Sequence, residues 1–246
     1  MLKLPICNSD KEYTIQPTKI IALGLNYRDH VAEAAQVDVK GFSPEIPKEP
    51  ILFPKTPNVL IGPEEAIIIP AFLERYNFEQ LRVDYEAELA IIIKDRCKQV
   101  APTEAMTHVF GYTCMNDVSQ RNLQTSDLSG WFRGKSLDTF GPVGPQVVLP
   151  ADIGDPGNLE IQCRLNGKVV QHSNTRHMIF SIPEIIAFVS TNFTLMPGDI
   201  ISTGTPSGVG PLQQGDIVEI EIENIGVLKN SVIEESSGRP PIDTAH

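Results

Sequence analysis

The segment DYEAELAIII, residues 84–93, restricts the fold of this chain more than any other stretch. Read with a period of two, Asp84, Glu86, Glu88, Ala90 and Ile92 share one face, and Tyr85, Ala87, Leu89, Ile91 and Ile93 share the other. Glu86 and Glu88 would be harmless on a solvated face. The run into AIII argues against that, because a strand that ends apolar on both faces needs cover on both. Two carboxylates side by side in such a layer repel each other with little screening, so the pattern calls for a cation between them.

The chain has 246 residues, enough for one large β-rich domain. Acidic residues outnumber basic ones 31 to 20, for a net charge of -11, which makes nucleic acid and anionic membrane poor partners. No stretch approaches the roughly 18 to 20 apolar residues of a membrane span, and MLKLPICNSDKEY lacks the pattern of a signal peptide. A cytoplasmic location is expected. Cys7, Cys97, Cys114 and Cys163 are scattered without CxxC spacing, and reduced thiols are expected. The cation is therefore sought among hard, oxygen-liking metals such as magnesium, manganese or calcium, and zinc is disfavoured.

Short β-rich segments punctuated by 18 glycines and 20 prolines dominate the rest. Strands are predicted at KIIALGL, AIIIP, DYEAELAIII, VFGYTCMN, LEIQCRLNG, DIISTG and DIVEIEIENIGVLKNSV. Helices are predicted after Asn26, before His108 and over SIPEIIAFVSTNF. The pattern is a mixed β-rich α+β domain and not a βαβ sheet. Residues 1–18 read as an N-terminal arm, 19–235 as one mixed β domain and 236–246, SSGRPPIDTAH, as an unstructured tail.

Beyond the two glutamates, four more stretches carry candidate chemistry. In GLNYRDHVAEAA, His30 and Glu33 are three apart, which on a helix lets the carboxylate orient the imidazole; such a pair is more often a surface ion pair. GYTCMNDVSQRNLQ puts Asp117 just past a strand, with Arg121 and Gln124 on the next turn, and Asp117 alone also reads as a cap or turn residue. WFRGKSLDTFGPVGP holds Lys135 in a loop rich in glycine and proline, where an isolated lysine is ordinarily solvated. GDIISTGTPSGVG is a strand followed by a tight turn with Thr203 and Thr205, whose amides and hydroxyls suit a carboxylate or phosphate or serve only as a structural turn. Its glycine spacing is not that of a dinucleotide fingerprint.

Taken together, GLNYRDHVAE, PILFPKTPN, DYEAELA, GYTCMNDVSQRNLQ, WFRGKSLDTFGPVGP and GDIISTGTPSGVG resemble the fumarylacetoacetate hydrolase family, in the family's order and from about residue 19 to 232. The resemblance is closest to short single-domain members: acylpyruvate hydrolases, oxaloacetate decarboxylases or tautomerases, and hydroxymuconate or 2-hydroxyhepta-2,4-diene-1,7-dioate isomerases. It implies a mixed β-sandwich roll with a few short helices, commonly assembled as a homodimer. It further implies that Glu86, Glu88 and Asp117 bind Mg2+ or Mn2+, with Ca2+ a non-native occupant, and that Lys135 offsets the excess negative charge. His30 and Glu33 match the family's catalytic dyad, and Arg28, Gln124 and Thr205 its substrate contacts. The helix with the dyad and the segment through QVDVKGFSPEIPKEP match a lid. The connection AFLERYNFEQLRV is longer than usual and is expected at the pocket rim or the dimer interface.

The implied activity is hydrolysis of the C–C bond of an acylpyruvate-type 2,4-dioxo acid through a metal-stabilised pyruvate enolate. Decarboxylation or tautomerisation of oxaloacetate and isomerisation of a dienedioate are the alternatives. A non-catalytic metal-binding scaffold is the alternative of another class.

Overall fold

The computed structural model of the chain describes residues 1–34, 45–76, 78–128 and 130–236. The strand Ala87–Ile93 is buried along its whole length and runs through the middle of a seven-stranded sheet. The order of that sheet is Ile51–Lys55, Ile20–Gly24, Ile200–Ser202, Ala87–Ile93, Val109–Asn116, Gly141–Val148 and Leu60–Ile61. Its neighbours pair antiparallel, except that Ile20–Gly24 with Ile200–Ser202 and Gly141–Val148 with Leu60–Ile61 are parallel. A five-stranded sheet packs against it in the order Lys168–Asn174, Glu160–Leu165, Ile217–Ile222, Gly226–Glu234 and Ile67–Ile69.

The alternation along the central strand explains the layering. Ala87, Leu89, Ile91 and Ile93 enter the larger core between the sheets, with Ile161, Cys163, Ile220 and Leu228 from the opposite layer. Ala90 and Ile92 face a second core with Ile20, Met115, Val143 and Ile200. That core is capped by Leu4 and Ile15, which flank or belong to an N-terminal ribbon of Lys3–Pro5 paired with Glu12–Thr14. The expected mixed β architecture with few helices is the observed one.

The helices lie where the caps and periodicity put them. Ile182–Asn192 begins at Ser181, whose side chain and that of Glu184 form a reciprocal capping box. The helix after Asn26 is α1, Arg28–Ala34, whereas the helix expected before His108 is only a single 3-10 turn, Ala105–His108. Two further short helices were not expected: α2, Arg121–Ser126, and α3, Phe132–Lys135. Lys135 therefore ends a helical turn and does not sit in an open loop. Gly134 permits this packing, since a Cβ there would lie 2.8 Å from the Gln120 oxygen and the Gln124 nitrogen. Among the described residues no helix is long and apolar enough to cross a membrane. Residues 35–44 of the expected lid and residues 237–246, nearly all of the expected tail, lie outside the described residues.

Candidate active site

The acidic strand is broken at the point where its chemistry lies. Val83–Tyr85 pairs with Ser119–Gln120 and Gly210–Pro211 in a small third sheet, and Ala87–Ile93 belongs to the large one. Glu86 bridges them: its N–H donates to Asn116 Oδ1 (2.9 Å) and its carbonyl accepts from Asp117 N (2.9 Å). Asp117 is thereby held beside Glu86 and Glu88. One carboxylate oxygen from each of the three lies within 4.8 Å of the others, and all three residues are buried.

Cations surround the group. Lys135 Nζ donates to Glu86 Oε2 (2.7 Å) and Asp117 Oδ2 (2.6 Å). Lys55 Nζ approaches Asp117 Oδ1 to 2.6 Å, and Arg121 Nη2 approaches Glu86 Oε1 to 2.5 Å, both as ion contacts outside hydrogen-bond alignment. Arg121 also donates through Nε to Asp84 (2.8 Å) and through Nη1 to Gln124 Oε1 (3.0 Å). Burial pushes the Glu86 carboxyl up, but Lys135 and Arg121 outweigh it and hold the group below the usual carboxylate range. Burial also opposes the charge of Lys135, and here Asp117 and Glu86 prevail and raise its pKa. For Lys55 burial wins and lowers the pKa despite Asp117.

Glu88 lacks this compensation. Its Oε2 accepts from Ser202 Oγ (2.5 Å) and Gly204 N (2.9 Å), while Oε1 is buried without a hydrogen-bond partner among the described residues. Burial, then Asp117 and Glu86, push its carboxyl well above the ordinary value. An orphaned carboxylate oxygen beside two further carboxylates is the donor set a hard divalent cation takes, so these residues fit such an ion.

The dyad residues meet as their spacing predicts. His30 Nδ1 lies 3.0 Å from Glu33 Oε2. Glu33 accepts in turn from Gly208 N (3.1 and 3.2 Å), which docks α1 onto the turn after Ile200–Ser202. Burial works against the Glu33 charge, but the His30 and Gly208 contacts prevail and lower its pKa. The amides of GTPSGVG thus bind carboxylates, but those of the protein itself: Gly204 N serves Glu88 and Gly208 N serves Glu33. Thr203 is likewise structural, its hydroxyl donating to the Leu89 carbonyl (2.9 Å).

One cavity of ≈ 270 Å³, counted to its open mouth, joins most of these groups. Glu86, Glu88, Lys135, His30, Arg121, Gln124 and Thr205 supply its polar lining, and Leu23, Leu25, Phe53 and Trp131 its apolar wall. Phe53 packs edge-on to Trp131 and lies 4.8 Å below the Lys135 ammonium. Arg28 is the exception among the expected substrate contacts: it is exposed on α1 and does not line the cavity. The long 71–83 connection touches the rim indirectly. Tyr76 stacks on Phe78 and accepts from Arg133 Nη2 (2.6 Å), and Arg133 also pairs with Asp127, so the segment braces the turn that bears Trp131.

Lys55 was not singled out by its sequence, although it lies in PILFPKTPN. The signal was its phase: Ile51, Phe53 and Lys55 share one face of a strand, so the lysine occupies an inward position. It is 1% exposed and also donates to the carbonyl of Lys135.

The profile of the fumarylacetoacetate (FAA) hydrolase C-terminal family matches residues 19–233, and the chain belongs to that family. It is 42% identical over 225 residues to the mitochondrial oxaloacetate tautomerase Fahd2a of Rattus norvegicus, covering 89% of this chain and 67% of the relative. The crystal structure of 5-carboxymethyl-2-hydroxymuconate delta-isomerase from Mycobacterium smegmatis superposes with a TM-score of 0.77 at 39% identity, covering 90% of this chain and 78% of that one. Maleylpyruvate hydrolase from Sphingobium sp. SYK-6, solved with manganese(II) and pyruvate, gives 0.74 at 34% identity, covering 91% and 73%. Family members act on small oxo acids.

Proposed function

We propose that this chain is a divalent-metal-dependent hydrolase that cleaves the C3–C4 bond of an acylpyruvate-type 2,4-dioxo acid. The observation that carries the reading is the opening of a carboxylate-oriented imidazole, His30 with Glu33, into the same cavity as Glu86, Glu88 and Lys135. Glu86, Glu88 and Asp117 would hold magnesium or manganese, which when bound supplies Lewis-acid stabilisation of negative charge on the 2-oxo oxygen. The maleylpyruvate hydrolase solved in complex with manganese(II) and pyruvate supports the choice of ion.

The side chains divide the remaining work. Lys135 brings a fixed ammonium to the developing charge, and Gln124 and Thr205 hold the substrate carboxylate. With Nδ1 engaged by Glu33, His30 Nε2 is the base that takes a proton from water as the water oxygen bonds to C4. The C3–C4 electron pair passes to the pyruvate fragment as its enolate, which is then protonated at C3. The apolar wall of the cavity, Leu23, Leu25, Phe53 and Trp131, suits the acyl end.

Tautomerisation of oxaloacetate, with decarboxylation beside it, is a second reading, favoured by the name of the rat relative. It needs only transfer of a C3 proton, for which the same base serves. The deciding experiment is a panel of acylpyruvates, oxaloacetate and 2-hydroxyhepta-2,4-diene-1,7-dioate with magnesium or manganese, followed by product identification. An acid plus pyruvate from the acylpyruvate is the expected result. Turnover of oxaloacetate alone transfers the assignment to the second reading, and no turnover of any oxo acid overturns both. Assembly as a homodimer belongs to the same proposal and is checked by sedimentation.

A further inference from the structure

Thr203 and Thr205 sit two residues apart in one turn, yet their hydroxyls are used in opposite senses. Thr203 donates to Leu89 O. Thr205 Oγ1 instead accepts, from Gln171 Nε2 at 2.8 Å, and among the described residues no acceptor takes its hydrogen. Thr205 is 2% exposed and lines the cavity.

Gln171 itself is 1% exposed, on the edge strand Lys168–Asn174 of the five-stranded sheet. Its Oε1 accepts from Ala87 N (3.0 Å), and its Nε2 donates a second time, to the Pro206 carbonyl (2.8 Å). These partners fix which way the amide faces. An N–H at residue 87 demands an acceptor and a carbonyl at residue 206 demands a donor, so a flipped amide would set donor against donor and acceptor against acceptor. With the amide locked, the Thr205 oxygen receives a hydrogen from behind and its own hydrogen is left for a ligand.

We infer that Gln171 is a positioning residue for substrate carboxylate: it keeps the Thr205 hydroxyl a donor towards the cavity and ties that hydroxyl to the peptide nitrogen between Glu86 and Glu88. The inference rests on the reading of the cavity as a 2-oxo acid site. Anion capture and the carboxylate group are thereby registered to each other through one buried amide, although Gln171 does not line the cavity itself.

A thermodynamic cycle tests it, with oxalate as probe in the presence of magnesium and binding read by calorimetry. Gln171→Glu keeps an acceptor for Ala87 N but offers an oxygen where Thr205 met a donor, so the hydroxyl turns its hydrogen away from the cavity. Oxalate affinity should fall about 10- to 100-fold, as for loss of a hydrogen bond to a charged group. Thr205→Val should cause a similar loss, Thr205→Ser little, and adding Gln171→Glu to Thr205→Val should cost less than about threefold more. With a turned-over oxo acid, KM should rise in Gln171→Glu while kcat stays within about threefold, because the His30 dyad is untouched.

Should Gln171→Glu fail to fold, Gln171→Met replaces it in the cycle and the same non-additivity is required. Full multiplication of the two effects, or an oxalate affinity unchanged by Gln171→Glu, overturns the inference while leaving the 2-oxo acid reading intact. Absence of magnesium-dependent oxalate binding in the wild-type protein overturns that reading and the inference with it.

Discussion

Glu88 is where the site's electrostatics are least balanced, since Lys135, Lys55 and Arg121 all contact Glu86 or Asp117 instead. Because its folded pKa is raised above the ordinary 4.5, its contribution to stability is full below that value and is lost as pH rises towards the folded pKa. Glu88→Gln has no proton to lose. In EDTA the variant should therefore melt progressively higher than wild type between pH 5 and pH 8, while its magnesium affinity falls about 100-fold or more. A melting difference that ignores pH would refute this account of Glu88. The neighbouring dyad gives a second prediction: His30→Ala should lose about 10²-fold or more in acylpyruvate hydrolysis with metal affinity unchanged, and equal, negligible losses on acylpyruvate and oxaloacetate would remove His30 as a base. Much at this scale was legible. A period of two put Glu86 and Glu88 together, and a spacing of three joined His30 to Glu33. Partners from elsewhere in the chain, such as Ser202 for Glu88 and Gln171 for Thr205, were not legible, because no local pattern encodes which distant residue meets a buried oxygen.

α1 is tied to the turn after Ile200–Ser202 through Gly208 N, which donates to Glu33, while Val31 on the same helix is buried in the protein. Gly208 has φ +96°, and a Cβ there would lie 2.2 Å from the Val170 carbonyl oxygen. Gly208→Ala should therefore displace the turn, destabilise the fold by about 1–3 kcal/mol and release Glu33, so that activity falls along with the melting temperature. Unchanged melting and activity would mean that this turn does not seat the helix. Since α1 has only seven residues and brings the dyad to the cavity, bound ligand should also protect it. Hydrogen exchange with magnesium present should slow in Arg28–Ala34 on adding oxalate, and slow there more than in Ala87–Ile93; no response would make α1 a fixed wall. Regular strands were readable from alternation and turn residues. The break at Glu86 was not, because side chains keep alternating across it while the backbone changes sheets. The turn of helix at Phe132–Lys135 was hidden too, its glycine reading as a loop marker when it serves close packing on α2.

At the scale of the molecule, the two-faced strand led to the sandwich because each apolar face needs its own layer. Residues 1–18, legible only as an arm, close the second core through Leu4 and Ile15, a role that three-residue strands flanked by charges do not announce. The chain carries a net charge of -11, and its metal-ligand candidates lie where the large sheet meets the small one. A cation bound there binds the folded state and finds no such cluster in the unfolded chain, so binding adds directly to stability. At magnesium about 100-fold above its Kd the gain is about 2.7 kcal/mol, which for a chain of this size is a rise in Tm of about 5–10 °C. Oxalate should raise Tm further only when magnesium is present, since it chelates the ion and meets Thr205. Both increments should shrink in Glu88→Gln, because the carboxylate that distinguishes the folded from the unfolded chain is gone. Equal magnesium stabilisation of the variant and the wild type would place the ion elsewhere on the acidic surface.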